Sequence, residues 1–402
     1  MPSGALRLAL ISLHTSPLAD VGSGDAGGMN VMLRHSADAL AGLGHQVEIF
    51  TRRAAADLPD RLELPSGVVV HHLTAGPPAP AGKREHEDFI APFGAALAAQ
   101  WSDWDIVHSH HWFSGMAAQP LAVDHGRPHV QTYHSIAAPN GRPLGEGEPP
   151  EGPGRIDGER HLAKTSDAVL AVSHAEAATV TGRLGADGER VFVVPPGVDV
   201  ELFHPIEGEP RSTLVLAARL EPLKGVDLAI RALALLPAQI RPDLHVLGAP
   251  SGAYPGYDEE LRALAAELGV ASRLQFNGAV ARARLARCFA TARAVLVPSH
   301  SESYGLTALE ASACGVPVIA SGAGGLREAV HDGVTGLIVP SRDPQHWADA
   351  IAGMLTDPDR AAALGQQGRE LALRRTWRAT AQGWERVYRR LLGAGTPTTG
   401  LG

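Results

Sequence analysis

The sequence predicts an α/β protein made of two doubly wound parallel-sheet units that face each other across a cleft. Three observations predict it. Short apolar runs rich in β-branched residues alternate with amphipathic stretches along the whole chain, which is the pattern of parallel strands covered on both faces by helices. The 402 residues exceed one ordinary core and suit two domains of roughly 200 residues. The stretch "PPGVDVELFHPIEGEPR" over 195–211 divides the strand runs into two series, and its Pro, Gly and charge content reads as an interdomain linker.

Taken in order, the first series of candidate strands is 8–13, 46–51, 67–73, 105–110, 129–134, 168–173 and 191–195. The second is 213–218, 244–248, 274–278, 294–299, 316–321 and 336–340. Amphipathic segments such as "DEELRALAAELGV" (258–270) and "AALGQQGRELALRR" (362–375) fall between and after them. The domains are therefore drawn as 1–205 and 206–378. A final segment, 379–402, carries a helix-like stretch that straps back toward the first unit. "GEGEPPEGPGR" (145–155) has no periodicity and reads as a mobile loop. Open sheets of this kind bind ligands beyond the carboxyl ends of their strands, so two facing units make a cleft.

Composition excludes several classes. Net charge is −8, whereas a nucleic-acid partner asks for a basic face. Cys288 and Cys314 are the only cysteines, so neither a disulfide framework nor a thiolate zinc site is expected. No stretch reaches the roughly 18 apolar residues of a membrane span, and no signal-peptide pattern opens the chain. The expected setting is cytoplasmic, and a homodimer is left open. Lysine occurs only at positions 83, 164 and 224 in a chain that otherwise uses Arg, so each marks a place where a compact ammonium could matter.

Several motifs carry chemistry. "DAGGMN" (25–30) sets two glycines between a strand and a helix. Such a turn lets a ligand approach the backbone, and helix-start amides favour an anion. It is not the G-x-G-x-x-G dinucleotide fingerprint, which disfavours a dehydrogenase. "ARLEPLKGVD" (218–227) places Arg219 and Lys224 beyond a strand and at a helix opening, where two cations can bracket a diphosphate. "SESYGLTALEASACGVPVIAS" (301–321) puts Glu302 in a loop, Gly305 at the start of a helix and Glu310 inside it. Both carboxylates can accept from the hydroxyls of one ligand.

The Glu302-x7-Glu310 spacing, the Arg219/Lys224 pair and the Gly-Gly loop resemble the retaining glycosyltransferases of family 4, which have the GT-B fold of two Rossmann-like domains. Within them, "HTSPLADVGSGDAGGMNV" (14–31), "VEIFTR" (47–52), "DIVHSHHWFSG" (105–115) and "PPGVDVELFHP" (195–205) resemble the D-inositol-3-phosphate glycosyltransferases of mycothiol synthesis. Sucrose-phosphate synthases are more distant. The resemblance implies an acceptor-binding first domain and a nucleotide-sugar-binding second domain. It implies transfer of a hexosyl or N-acetylhexosaminyl group from a nucleotide diphosphate sugar, UDP-linked by preference, to a small hydroxylated acceptor such as inositol phosphate. Arg219 and Lys224 would hold the diphosphate, with the amides of Gly305 and Leu306. Glu310 would bind the ribose and Glu302 the donor sugar. His134 in "TYHS" would stand beside the transferred sugar. Gly28 would let the loop abut the diphosphate, and Asn30 would touch the acceptor. Lys83 and Arg155 would clamp the acceptor phosphate, beside His111 and Ser135, where the family pattern has Tyr and Thr. No cofactor is required on this view, and no metal is expected.

The histidines also bear on a metal. His108 and His110 share one strand face while His111 points elsewhere, and no second carboxylate stands at ligand spacing. "DWD" (103–105) matches the D-x-D of metal-dependent transferases only superficially. The rival readings are a nucleotide-sugar 2-epimerase, which needs no acceptor cations, and a sugar-nucleotide binder without turnover.

Overall fold

The computed structural model describes residues 4–19, 27–209 and 211–393. The first half of the glycine loop (20–26), Pro210 and the ends of the chain lie outside the described residues.

Two sheets form the frame. The first holds β1 (Arg7–Ser12), β2 (Gln46–Arg52), β3 (Arg61–Glu63), β4 (Val69–Leu73), β5 (Ile106–His110), β6 (His129–Thr132), β7 (Ala168–Ala171) and β8 (Val191–Val193). They are ordered β3-β4-β2-β1-β5-β6-β7-β8, and only β3 runs antiparallel to its neighbour. The second holds β9 (Thr213–Ala217), β10 (Leu244–Leu247), β11 (Leu274–Phe276), β12 (Ala292–Val297), β13 (Val318–Ser321) and β14 (Gly336–Val339), all parallel in the order β11-β10-β9-β12-β13-β14. Every predicted strand is present within a few residues. The short edge strand β3, exposed throughout and lacking the apolar run the reading relied on, is an addition.

β1 shows why these runs are strands. Residues 8–12 are fully buried, and Leu8 pairs with Val47 on one side and Ile106 on the other. A strand covered on both faces has no polar side to alternate. One face of the first sheet packs with Phe93, Trp104 and Phe113. The other shares a continuous apolar core with the helix Gly28–Ala41, with Phe203 and Ala308, and with Trp384 and Tyr388 of the last helix.

That last helix, Trp377–Gly393, leaves the second unit and packs on Gly28–Ala41 of the first. Trp377 stacks on His35 at 5.2 Å, and Tyr388 hydroxyl lies 2.7 Å from His108 Nδ1. The chain thus crosses between the units twice, and the crossings are side by side: Val198 N–H donates to Arg375 carbonyl at 2.8 Å.

Both sheets reverse their winding at a central strand pair, β1/β5 in the first and β9/β12 in the second. The loops leaving these pairs diverge to opposite faces and open a crevice. The residues singled out after 13, 110, 217 and 297 therefore all emerge at one end of their sheets.

The expectation of a mobile loop over 145–155 is overturned. Leu144–Glu146 is a 3-10 turn, Glu148 carbonyl accepts from Ala138 N–H at 2.8 Å, and Glu151 is ion-paired and nearly buried. Charge pairing within the fold, invisible to a test of periodicity, orders the segment.

Candidate active site

The second unit supplies a cationic floor. Beyond β9, Arg219 leads to the 3-10 turn Pro222–Lys224, and Gly225 then opens the helix Val226–Leu235. Beyond β12, a short loop carries Glu302. Lys224 Nζ lies 2.7 Å from Glu302 Oε1, and Ser299 Oγ donates to the same oxygen at 2.9 Å. Burial opposes the charge on Lys224, yet Glu302 more than offsets it and raises the lysine pKa. Gly305 has φ 109°, and a Cβ there would stand 2.5 Å from Leu326 Cδ2. Only glycine can open the helix Leu306–Ala313, whose first-turn amides lack intrahelical partners and border the cleft. Further along that helix, Glu310 is buried and accepts from Arg282 Nη1 at 2.7 Å. Burial pushes its pKa up, with Arg282 working against the rise.

The first unit supplies the opposite wall. Gly28 begins the helix Gly28–Ala41, and a Cβ on it would meet Leu306 Cδ1 of the other unit at 3.2 Å. The close approach that the two glycines serve is therefore, in part, contact between domains. Asn30 is almost fully committed. Its Nδ2 donates to Thr15 Oγ1 and Ser16 carbonyl, both at 2.6 Å, while Oδ1 accepts from Gly27 N–H at 3.0 Å. Three of its four hydrogen-bonding positions are used to pin the turn. It lines the cleft and braces the turn as well.

His111 and His134 follow β5 and β6, and both are non-glycine residues at positive φ, 70° and 62°. Conformations of this type cost about 1–3 kcal/mol and persist where surroundings fix them. His134 Nε2 lies 2.8 Å from His110 Nδ1. His110 is buried and His134 half-buried, and both are held neutral, with desolvation taking His134 down to about 3. His110 Nε2 is buried without a partner, so the cheaper tautomer puts the proton on His110 Nδ1, donating to His134. His134 then carries its own N–H on Nδ1, on a ring that lines the cleft. Its carbonyl accepts from Ser303 Oγ of the other unit.

Lys83 opens the 3-10 turn Lys83–Glu87, lines the cleft and lies 3.8 Å from Glu148 Oε2. His111 Nε2 is 3.3 Å from Glu151 Oε1. Arg155 is placed differently. It begins the helix Arg155–Thr165, is 0% exposed and does not line the cleft. Nε donates to Glu159 Oε1 at 2.8 Å, Nη1 to Glu151, and Nη2 to Ser135 Oγ at 2.9 Å and Ser135 carbonyl at 3.2 Å. The glutamates four residues to either side give it the packing reason that the sequence reading missed.

Of the thirteen residues singled out from sequence, Gly28, Asn30, Lys83, His111, His134, Ser135, Arg219, Lys224, Glu302, Gly305, Leu306 and Glu310 line one cleft of about 310 Å³ between the units. Arg155 stands behind its wall. The sequence reading missed Thr15, Glu148, Arg282 and Ser303. "EPPE" two carboxylates wide before Arg155 could have flagged Glu148. Nothing local distinguishes Arg282 from its arginine-rich surroundings. The D-x-D carboxylates are structural: Asp105 accepts from Arg7 N–H at 2.8 Å and Asp103 lies 3.4 Å from Arg127, at the opposite end of the strands.

Two family models match the chain, "Glycosyltransferase Family 4" over 26–202 and "Glycosyl transferases group 1" over 201–371. The chain is 40% identical over 403 residues to the D-inositol 3-phosphate glycosyltransferase of Thermobispora bispora, covering 95% of this chain and 94% of the relative. The chain belongs to the family 4 glycosyltransferases. The Jonesia denitrificans protein of the same name is also 40% identical, over 98% of this chain and 99% of its own. Among solved structures, the sucrose-phosphate synthase of Thermosynechococcus elongatus superposes with a TM-score of 0.87 at 30% identity, covering 96% of this chain and 99% of that one. Anabaena HepE in complex with UDP and glucose superposes at 0.75 and 20% identity over 97% and 99%, a likeness of fold. The GT-B architecture predicted for this glycosyltransferase is thus observed, and it is an enzyme that uses a nucleotide sugar. Among the described residues no helix is long and apolar enough to cross a membrane, and no group of three or more His, Cys, Asp or Glu side chains could hold a metal.

Proposed function

We propose that this glycosyltransferase moves a hexosyl or N-acetylhexosaminyl group, with retention, from a UDP-sugar to a polyol phosphate of the inositol phosphate type. One observation carries the reading: a single cleft joins the Arg219, Lys224 and Leu306 helix start on one wall to Lys83, Ser135 and His134 on the other. The near full-length relatives named D-inositol 3-phosphate glycosyltransferase support the acceptor class.

The chemistry follows from the groups at hand. Arg219, Lys224 and the helix-start amides meet the charge that grows on the diphosphate as the bond from C1 of the sugar to its β-phosphate oxygen breaks. The acceptor hydroxyl attacks C1 from the same face, and its proton passes to the departing phosphate oxygen. No carboxylate or imidazole has to serve as base. Neutral His134 donates its Nδ1–H to a hydroxyl of the sugar being transferred, and Glu302 accepts from another. The diphosphate charge is met by protein cations, so the reaction needs no resident metal or other cofactor. A nucleotide-sugar donor supports a cytoplasmic setting.

The sucrose-phosphate synthase likeness supports a second acceptor, a ketose phosphate. The test is release of free nucleotide diphosphate from UDP-N-acetylglucosamine and UDP-glucose, with inositol phosphate, fructose 6-phosphate or no acceptor, before and after chelation of metals. Stimulation by inositol phosphate that survives chelation supports the proposal. Stimulation by fructose 6-phosphate alone replaces its acceptor.

A further inference from the structure

One carboxylate in the cleft faces the donors that the acceptor reading assigns to a phosphate. Three donors converge on Glu148 Oε2: Ser135 Oγ at 3.4 Å, Arg155 Nη1 at 3.5 Å and Lys83 Nζ at 3.8 Å. All three distances are longer than the roughly 2.7–2.9 Å of a formed charge-assisted bond. The other bonds of Arg155, to Glu151, Glu159 and Ser135, are closer. The N–H turned toward Glu148 is the one Arg155 holds least firmly. Lys83, Ser135 and Glu148 line the cleft.

The backbone of Glu148 is fixed, while its carboxylate is held only by these long contacts. Its carbonyl is tied to Ala138 N–H, and Gly147 before it lies at φ 136° with Ile136 carbonyl 2.5 Å from where a Cβ would stand. Burial works against the charge on Glu148, but Lys83, Arg155, Arg219 and Lys224 outweigh it and hold its carboxyl far below the usual range. The residue is thus an anion at every working pH. It is also loosely bonded and faces an open cleft.

We propose that Glu148 is an internal anion that competes with the acceptor's phosphate for the subsite made by Lys83 and Ser135 in the cleft, backed by the buried Arg155 guanidinium, and so sets the enzyme's selectivity between phosphorylated and neutral polyols. The proposal rests on the acceptor reading above. A phosphate dianion entering this subsite must turn the carboxylate aside, because two anions cannot share three donors. A neutral polyol leaves it in place and is hydrogen-bonded by it.

Glu148→Gln keeps the shape and removes the charge. Its KM for inositol phosphate is expected to fall about tenfold, and inorganic phosphate should inhibit it competitively at about tenfold lower concentration. Glu148→Ala, read alongside a thermal melt, is expected to show the same direction. Adding Lys83→Ala should abolish the gain. A KM and a phosphate inhibition constant that stay the same or rise in both variants would overturn the proposal and make Glu148 a brace for Lys83 and Arg155. The acceptor reading fails separately, if wild type turns over only unphosphorylated polyols while donor cleavage persists. In that case calorimetric binding of inorganic phosphate decides: tighter binding by Glu148→Gln supports the internal anion, and equal or weaker binding refutes it.

Discussion

Lys224→Ala removes the cation at the centre of the donor wall, and the structure sets what that should cost. The ammonium lies 2.7 Å from Glu302 Oε1 and borders the cleft with Arg219. Losing one donor to a diphosphate whose charge is growing costs about 3 kcal/mol, or about a hundredfold in kcat. The substitution also leaves the Glu302 carboxylate facing the incoming diphosphate with only Ser299 as a partner. Breaking a fully buried pair costs about 3–5 kcal/mol. Here the side chains of Lys224 and Glu302 are 15% and 20% exposed, so water screens the orphan and the lower end applies. The expected loss in kcat/KM is therefore at least a hundredfold. Glu302→Gln should lose most turnover alone, but the double variant should lose less than the two added together, by about 1–3 kcal/mol. Steady-state nucleotide release over the four proteins of the cycle, with melts to show that each is folded, measures this. A Lys224→Ala enzyme within tenfold of wild type, or effects additive within about 0.5 kcal/mol, would refute the donor-wall assignment.

Four further outcomes follow from the geometry. Arg155→Ala should destabilise the fold by about 3–5 kcal/mol in denaturant titrations, because it leaves Glu151 and Glu159 buried without their cation; a folded, fully stable variant would contradict the packing role. Tyr388→Phe should cost about 1–2 kcal/mol of stability by leaving His108 Nδ1 unpaired, with acceptor KM unmoved. His129 and His134 are held to about 3 by burial, below the unfolded value. The unfolded chain therefore binds more protons in that window, and stability should fall as pH drops from about 6.5 toward 3, by up to about 1.4 kcal/mol per unit for each ring; melts equal at pH 7 and pH 5 would contradict it. Glu328 Oε1 and Oε2 accept from Ala175 and His174 N–H across the units, each at 3.0 Å. Glu328→Ala should raise the donor KM several-fold and enlarge the nucleotide-bound particle in small-angle scattering.

Much of this was legible in the sequence because its signals are local. A strand buried on both faces must be apolar throughout, so "LALISL" and "AVLVPS" announce themselves. The proposed donor wall drew on equally local signals, since Arg219, Lys224 and Glu302 lie in the loops and turns that follow strands of the second sheet and Glu310 lies in the helix after one of them. The acceptor wall was harder. It is assembled from segments far apart in sequence, and its charges are set by pairing. Arg155 looked like a loose cation because Pro and Gly precede it, yet Glu151 and Glu159 sequester it. Asn30, expected at the acceptor from the family resemblance, lines the cleft while Thr15 and Ser16 claim its amide. Glu148 carried only the weak signal of "EPPE", and its role became visible once Lys83, Ser135 and Arg155 were brought around it.

The central claim is that this cleft carries out retaining transfer from a nucleotide sugar to a phosphorylated polyol. Proton NMR of the product formed from UDP-N-acetylglucosamine and inositol phosphate tests it most directly, because one spectrum reports the acceptor, the new bond and its anomeric configuration. The account predicts an α-linked N-acetylglucosaminyl inositol phosphate appearing in step with UDP. A β-linked product, or UDP released with no new glycosidic bond, would contradict it.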